Sequence, residues 1–113
     1  MKTVIKSLAI GAALFAAPLT AVADGHSDNL KYVLVSHAPD SDSWWNTIKN
    51  GIALAGDQMG VEVEYRNPPT GDLGDMARII EQAAASGPNG IITTLADYDV
   101  LKGPIMDAVA SGV

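Results

Sequence analysis

Two short stretches of this chain concentrate side chains able to grip a small polar molecule. The first, Ser36-His37-Ala38-Pro39-Asp40-Ser41-Asp42-Ser43, runs directly into Trp44-Trp45. The second, Ala96-Asp97-Tyr98-Asp99, follows an apolar run later in the chain. Carboxylates accept strong bonds from ligand hydroxyls, about 1.5 to 3 kcal/mol each when charge-assisted. An indole face covers apolar C–H patches at low entropy cost. Neither stretch holds a glycine-rich cradle, or a Lys or Arg to pair with phosphate. This donor set suits a neutral, hydroxyl-rich small molecule and not a nucleotide.

Each of these residues also has a plainer reading. Asp42 is well placed to cap a helix, and capping is compatible with ligand contact. Adjacent helical positions point about 100° apart, so one of Trp44 and Trp45 is expected in the core and the other toward a crevice. Asp97 and Asp99 also read as decoration of a turn or a helix start. Asn67-Pro68-Pro69-Thr70-Gly71 has the composition of a rigid connector. His37 reads as a solvated loop histidine: the chain has no cysteine, and its other histidine, His26, lies in the N-terminal tail. No metal or cofactor is therefore expected. Nucleophile-elbow, dinucleotide, phosphate-loop and zinc-protease motifs are all missing, so the reading is a binder and not an enzyme.

The elements that must position these loops follow from periodicity. Lys31–Ser36 is a short run of β-formers, and Val61–Arg66 alternates strictly, as a strand with one wet face at a sheet edge does. Gly90–Leu95 is continuously apolar and β-branched, as expected of a strand covered on both faces. A helical stripe of Trp44 or Trp45, Ile48, Ile52, Ala55 and Met59 lies between the first two, stopped by Gly60. A second, with Met76, Ile79, Ile80, Ala83 and Ala84, is expected to take Asp75 as its cap and Gly87-Pro88 as its stop. A third is expected from about Pro104 to Ser111, with Leu101, Ile105, Ala108 and Val109 on its buried side. Alternation of this kind specifies an α/β fold, a parallel sheet with flanking helices. With strand order 2-1-3, ligands bind beyond the carboxyl ends of strands one and three, where the order reverses. Those are the two stretches above.

Residues 1–23 have the layout of a secretory signal peptide: Lys2 and Lys6, an apolar run from Ser7 to Ala17, and Ala21-Val22-Ala23 with cleavage expected after Ala23. The run is too short to span a bilayer core of about 30 Å. The chain has 113 residues and a formal charge of -6. Without the leader, five basic residues face thirteen acidic ones. Such a surface excludes a nucleic-acid partner and is unsuited to an anionic membrane. Gly112-Val113 repeats the glycine-to-apolar step that opens the second and third strands. Residues 24–113 are accordingly expected to be an incomplete lobe.

In order, Val35-Ser36, the polar loop, the aromatic pair, Ile48-Lys49-Asn50-Gly51, Gly60-Val61-Glu62-Val63, Asp75 with Ile80 five residues on, and Pro88-Asn89-Gly90-Ile91-Ile92 make a recognisable series. Across Asn29–Val113 it resembles the type I periplasmic sugar-binding proteins of bacterial ABC importers, of the ribose and galactose kind. The resemblance implies the N-terminal lobe of a two-lobed periplasmic protein. Such a protein closes on a sugar or polyol as a monomer and presents it to an ABC permease in the inner membrane. It implies ligand-binding roles for Ser36, Asp42, Trp44, Trp45 and Asp97. Many relatives have phenylalanines where Trp44 and Trp45 stand, and a first loop about two residues shorter. The competing reading is an exported α/β enzyme, hydrolase-like, whose catalytic residues lie beyond Val113.

Overall fold

The structure, a computed structural model, describes residues 30–113; the expected leader, its expected cleavage point and His26 lie outside the described residues. Elements alternate as β1 (Lys31–Val35), α1 (Ser43–Met59), β2 (Glu62–Arg66), α2 (Leu73–Ala85), β3 (Gly90–Thr93) and α3 (Tyr98–Ala110). The strands form one parallel sheet in the order β2-β1-β3. The α/β class is as the periodicity predicts, and the 2-1-3 order is the one on which the expected crevice depends. β3 ends at Thr93, two residues short of its apolar run.

Side-chain alternation divides the sheet into two faces. Val33, Val35 and Ile91 point to one face, where Met76, Ile80 and Ala83 of α2 and Leu101 of α3 complete the core. Six of these residues, all but Ile91, are no more than 1% exposed. The same face of β2 is ionic: Lys31 Nζ lies 3.5 Å from both Glu62 and Glu64, and Arg66 Nε lies 2.7 Å from Glu64. This is the wet side that the strict alternation of β2 foretold. Arg66 hydrogen bonds hold the Glu64 carboxyl below its ordinary range against a smaller opposing effect of burial, and the same pairing raises Arg66.

The other face carries Tyr32, Val63 and Ile92, and α1 rests there against β2. Gly56 is the single buried residue of α1. An added Cβ at that position would sit 3.0 Å from the Val61 carbonyl and 3.1 Å from Val63 Cγ2, so only glycine lets helix and strand approach this closely. The stripe expected on α1 is only half realised, with Ile52 half-buried and Met59 exposed. Ile92 is exposed as well, so β3 is covered on one face and not on two.

All three helices start from an aspartate in extended backbone: Asp42, Asp72 and Asp97. For α2 this corrects the expected cap. Asp72 takes the role by accepting the Asp75 amide at 2.8 Å, which places Asp75 inside the first turn. For α3 it corrects the start. The helix begins at Tyr98 and Pro104 lies within it. Asp97 accepts the Val100 amide and Leu101 is fully buried, which together anchor a turn that Pro104 alone would not have begun. Val109, expected on the buried side of α3, is exposed.

Candidate functional site

The three helix-entry loops all leave the carboxyl end of the sheet, because every strand is parallel and every helix follows its strand directly. The loops after β1 and β3 are neighbours there, as the strand order demands. Their contact is explicit. The His37 amide donates to Thr94 Oγ1 at 3.2 Å, and His37 Nδ1 lies 3.0 Å from the same oxygen. One step earlier, the Thr94 amide donates to the Val35 carbonyl at 3.2 Å and prolongs the ladder past β3.

From this junction the β1 loop leads into α1. Asp42 Oδ1 accepts the amides of Trp44 at 3.0 Å and Trp45 at 3.3 Å, which satisfies two amides of the first turn. Asp42 is thus a true N-cap. Asp97 plays the same part at α3, using Oδ1 for Val100 at 3.0 Å. In neither case does the second carboxylate oxygen have a hydrogen-bond partner among the described residues. Both carboxylates sit at the same end of the sheet, as the proposed crevice requires.

Neither tryptophan enters the core, contrary to the expectation for one of them. Trp44 is 63% exposed and Trp45 is half-buried. α1 starts eight residues after β1 ends, and its first turn packs against the loop that precedes it. Trp45 packs edge-on against His37, with ring centroids 5.5 Å apart and planes at 81°. Trp44 packs edge-on against Trp45 at 5.1 Å and 84°. The three rings form one aromatic corner whose outermost indole is open to solvent.

Ser36 has another place. It is completely enclosed, its hydroxyl lies 2.6 Å from Tyr65 Oη, and it accepts the Ala38 amide at 3.3 Å. It closes the end of β1 with its hydroxyl turned inward. The connector after β2 is also more than a connector. Asn67 Nδ2 donates to the Ala38 carbonyl and to Asp40 Oδ1, both at 2.9 Å, and the Asp40 amide donates to Pro69 O at 3.0 Å. Gly71, at φ 80°, turns the connector beside Pro39. This strut holds the β1 loop from the side opposite Thr94.

The contacts of His37 and Asn67, read from sequence as a solvated loop histidine and part of a connector, and of Thr94 are thus not local in sequence. Their partners lie 27 to 57 residues away, and nothing in the local pattern announces such pairings. Among the described residues no cluster of His, Cys, Asp or Glu could hold a metal ion. No described helix is long and apolar enough to cross a membrane.

Comparison with known proteins agrees with this fold. A carbohydrate transporter from Acidothermus cellulolyticus 11B, solved in complex with myo-inositol, superposes with a TM-score of 0.70 at 29% identity, over 75% of this chain and 29% of its own. GanP, a glucose-galactose binding protein from Geobacillus stearothermophilus, gives 0.71 at 26% identity over 76% and 30%. AraP, an arabinose binding protein from the same organism, gives 0.68 at 28% over 75% and 29%. The chain therefore spans less than a third of each of these structures. No curated protein sequence matches it. Residues 32–113 match the family described as periplasmic binding protein domain, and by that match over most of its length the chain belongs to this family.

Proposed function

We propose that this chain forms the first part of the sugar- or polyol-binding component of an ABC importer, exported by residues 1–23 and working in the periplasm. Residues 24–113 contribute one wall of a cleft between two lobes, a reading supported by the share of each structural neighbour that the chain spans. Trp44 supplies a stacking face, Trp45 holds it, and the unengaged oxygens of Asp42 and Asp97 accept hydroxyl hydrogens. Ser36 shapes the strand end beneath them. The closed protein, a monomer, presents its ligand to an inner-membrane permease.

The observation that carries this reading is the joining of the β1 and β3 loops beside an indole that is 63% exposed. An exposed tryptophan beside carboxylates with free oxygens is wasteful in a scaffold and useful to a polyol. The neighbours named as binding myo-inositol, glucose-galactose and arabinose support the ligand class. A binder needs no nucleophile, which sets this reading ahead of the exported hydrolase.

The test is calorimetric titration of the uninterrupted protein with myo-inositol, D-galactose, D-glucose and L-arabinose, before and after Trp44→Ala. One of the four is expected to bind with micromolar affinity, about -8 kcal/mol. The substitution is expected to cost about 2 kcal/mol or more, as buried aromatic anchors do. Unchanged affinity in W44A would place the pocket elsewhere.

A further inference from the structure

The carboxylates of Asp42 and Asp97 can only accept hydrogen bonds when ionised. A ligand hydroxyl that gives its hydrogen to one of them still has an oxygen in need of a donor. His37 is one group at this junction able to supply one, through the ring nitrogen that faces away from Thr94. Thr94 Oγ1 accepts the His37 amide and lies 3.0 Å from Nδ1, within reach for its own hydrogen to go to that nitrogen. An imidazole that accepts at Nδ1 carries its proton on Nε2.

That second nitrogen is open. Among the described residues every buried side-chain nitrogen or oxygen has a partner, and the half-buried His37 forms no bond through Nε2. Nε2 therefore reaches solvent. It does so from a ring fixed on two sides, by Thr94 behind it and by the indole of Trp45 at 5.5 Å. A ring N–H donor next to an apolar aromatic surface is the pairing that a polyol offers in reverse: an oxygen acceptor next to a C–H patch.

We infer that His37 is a ligand-binding residue of this cleft. Its Nε2–H donates to a hydroxyl oxygen of the sugar or polyol, and Thr94 sets the tautomer that makes this possible. The inference rests on the proposed function above and adds to it the donor that the carboxylates lack. It also gives the β1–β3 junction a role in selection, because a ligand hydroxyl must meet Nε2 and an indole face together.

Two substitutions separate the donor from the tether. In His37→Asn the side-chain oxygen replaces Nδ1 as acceptor for Thr94, and the distal donor is gone. In His37→Gln the amide reaches the position of Nε2 and restores that donor. Titrated with whichever of the four sugars binds the unsubstituted protein best, H37N is expected to bind about tenfold more weakly, and H37Q within about threefold of the unsubstituted protein. Unchanged affinity in H37N, or equal losses in H37N and H37Q, would overturn the inference.

A second measurement needs no variant. Long-range proton–nitrogen spectra of the unsubstituted protein should show His37 protonated at Nε2 and that nitrogen shifting on saturation with sugar. The Nδ1–H tautomer, or a resonance unmoved by ligand, would overturn it as well. A protein that binds none of the four sugars removes the proposed function and this inference together. Sugar binding with an indifferent H37N removes this inference alone.

Discussion

The two faces of the sheet are built to different standards. On one, Met76, Ile80, Ala83 and Leu101 close over Val33 and Val35 until all six are almost fully enclosed. On the other, α1 touches β2 through Gly56 and leaves a groove of about 320 Å³ lined by Leu30, Tyr32, Ile52, Met59, Val63 and Ile92. Both faces carry apolar side chains on β1 and β3, so hydrophobicity alone does not separate them. The difference is the number of helices: two share the closed face and one occupies the open one. An apolar side chain contributes to stability by being removed from water, at roughly 25 cal/mol per Å². Residues of the same type on the two faces should therefore carry unequal weight.

The sharpest test of that contrast is a matched pair. Ile80→Ala on the closed face is expected to lower unfolding stability by about 2 to 5 kcal/mol, the cost of a cavity in a packed core. Ile92→Ala, at a residue 56% exposed, is expected to cost less than about 1 kcal/mol. Urea midpoints for both variants decide it. Equal losses would show that something covers the open face in solution.

A second pair probes the single close contact of that open face. Gly51 and Gly56 both lie inside α1, but an added methyl at Gly51 meets nothing within 4 Å, whereas at Gly56 it presses on the Val61 carbonyl. Gly51→Ala is expected to raise stability by about 0.5 to 1 kcal/mol, the helix preference for alanine over glycine. Gly56→Ala gains the same preference and loses about 1 to 3 kcal/mol to overpacking. The net is expected to be a fall in the melting temperature. A rise in both would mean that α1 is free to lift from β2.

The smallest effect belongs to the ionic part of the closed face. Because the Arg66 hydrogen bonds lower the Glu64 pKa on folding, the pairing stabilises fully above the ordinary carboxylate range. That contribution is lost as the pH falls through the lowered value. Glu64→Gln should cost no more than about 1 kcal/mol at neutral pH, since the pair is partly solvated. The gap between the variant and the parent should close on acidification. A gap that persists at low pH would point to packing and not to charge.

Much of this architecture is legible without coordinates because its signals are local. Strict alternation in Val61–Arg66 identified an edge strand with a charged side, and the three-and-four spacing around Met76 and Ile80 identified the face that α2 buries. The errors arose where two local signals compete. Pro104 is a good first-turn residue, so it read as the start of α3, yet Asp97 caps that helix seven residues earlier. Asp75 sits three residues beyond Asp72, and either aspartate precedes the apolar stripe of α2; backbone conformation chose Asp72. Similarly, the aromatic pair was recognisable as an anchor, but the first turn of α1 packs against its loop and neither ring lies in the core.

By itself the sequence determined the elements, their order, and which side chains stand at the carboxyl end of each strand, because periodicity and capping act over three or four residues. Tertiary structure alone decided that His37 meets Thr94, 57 residues away, that Asn67 braces the loop carrying Asp40, and that Ser36 turns inward to Tyr65. Those pairings depend on which strands are neighbours and in what register. A parallel sheet sets both only after its crossovers have closed, so no short stretch of residues encodes them.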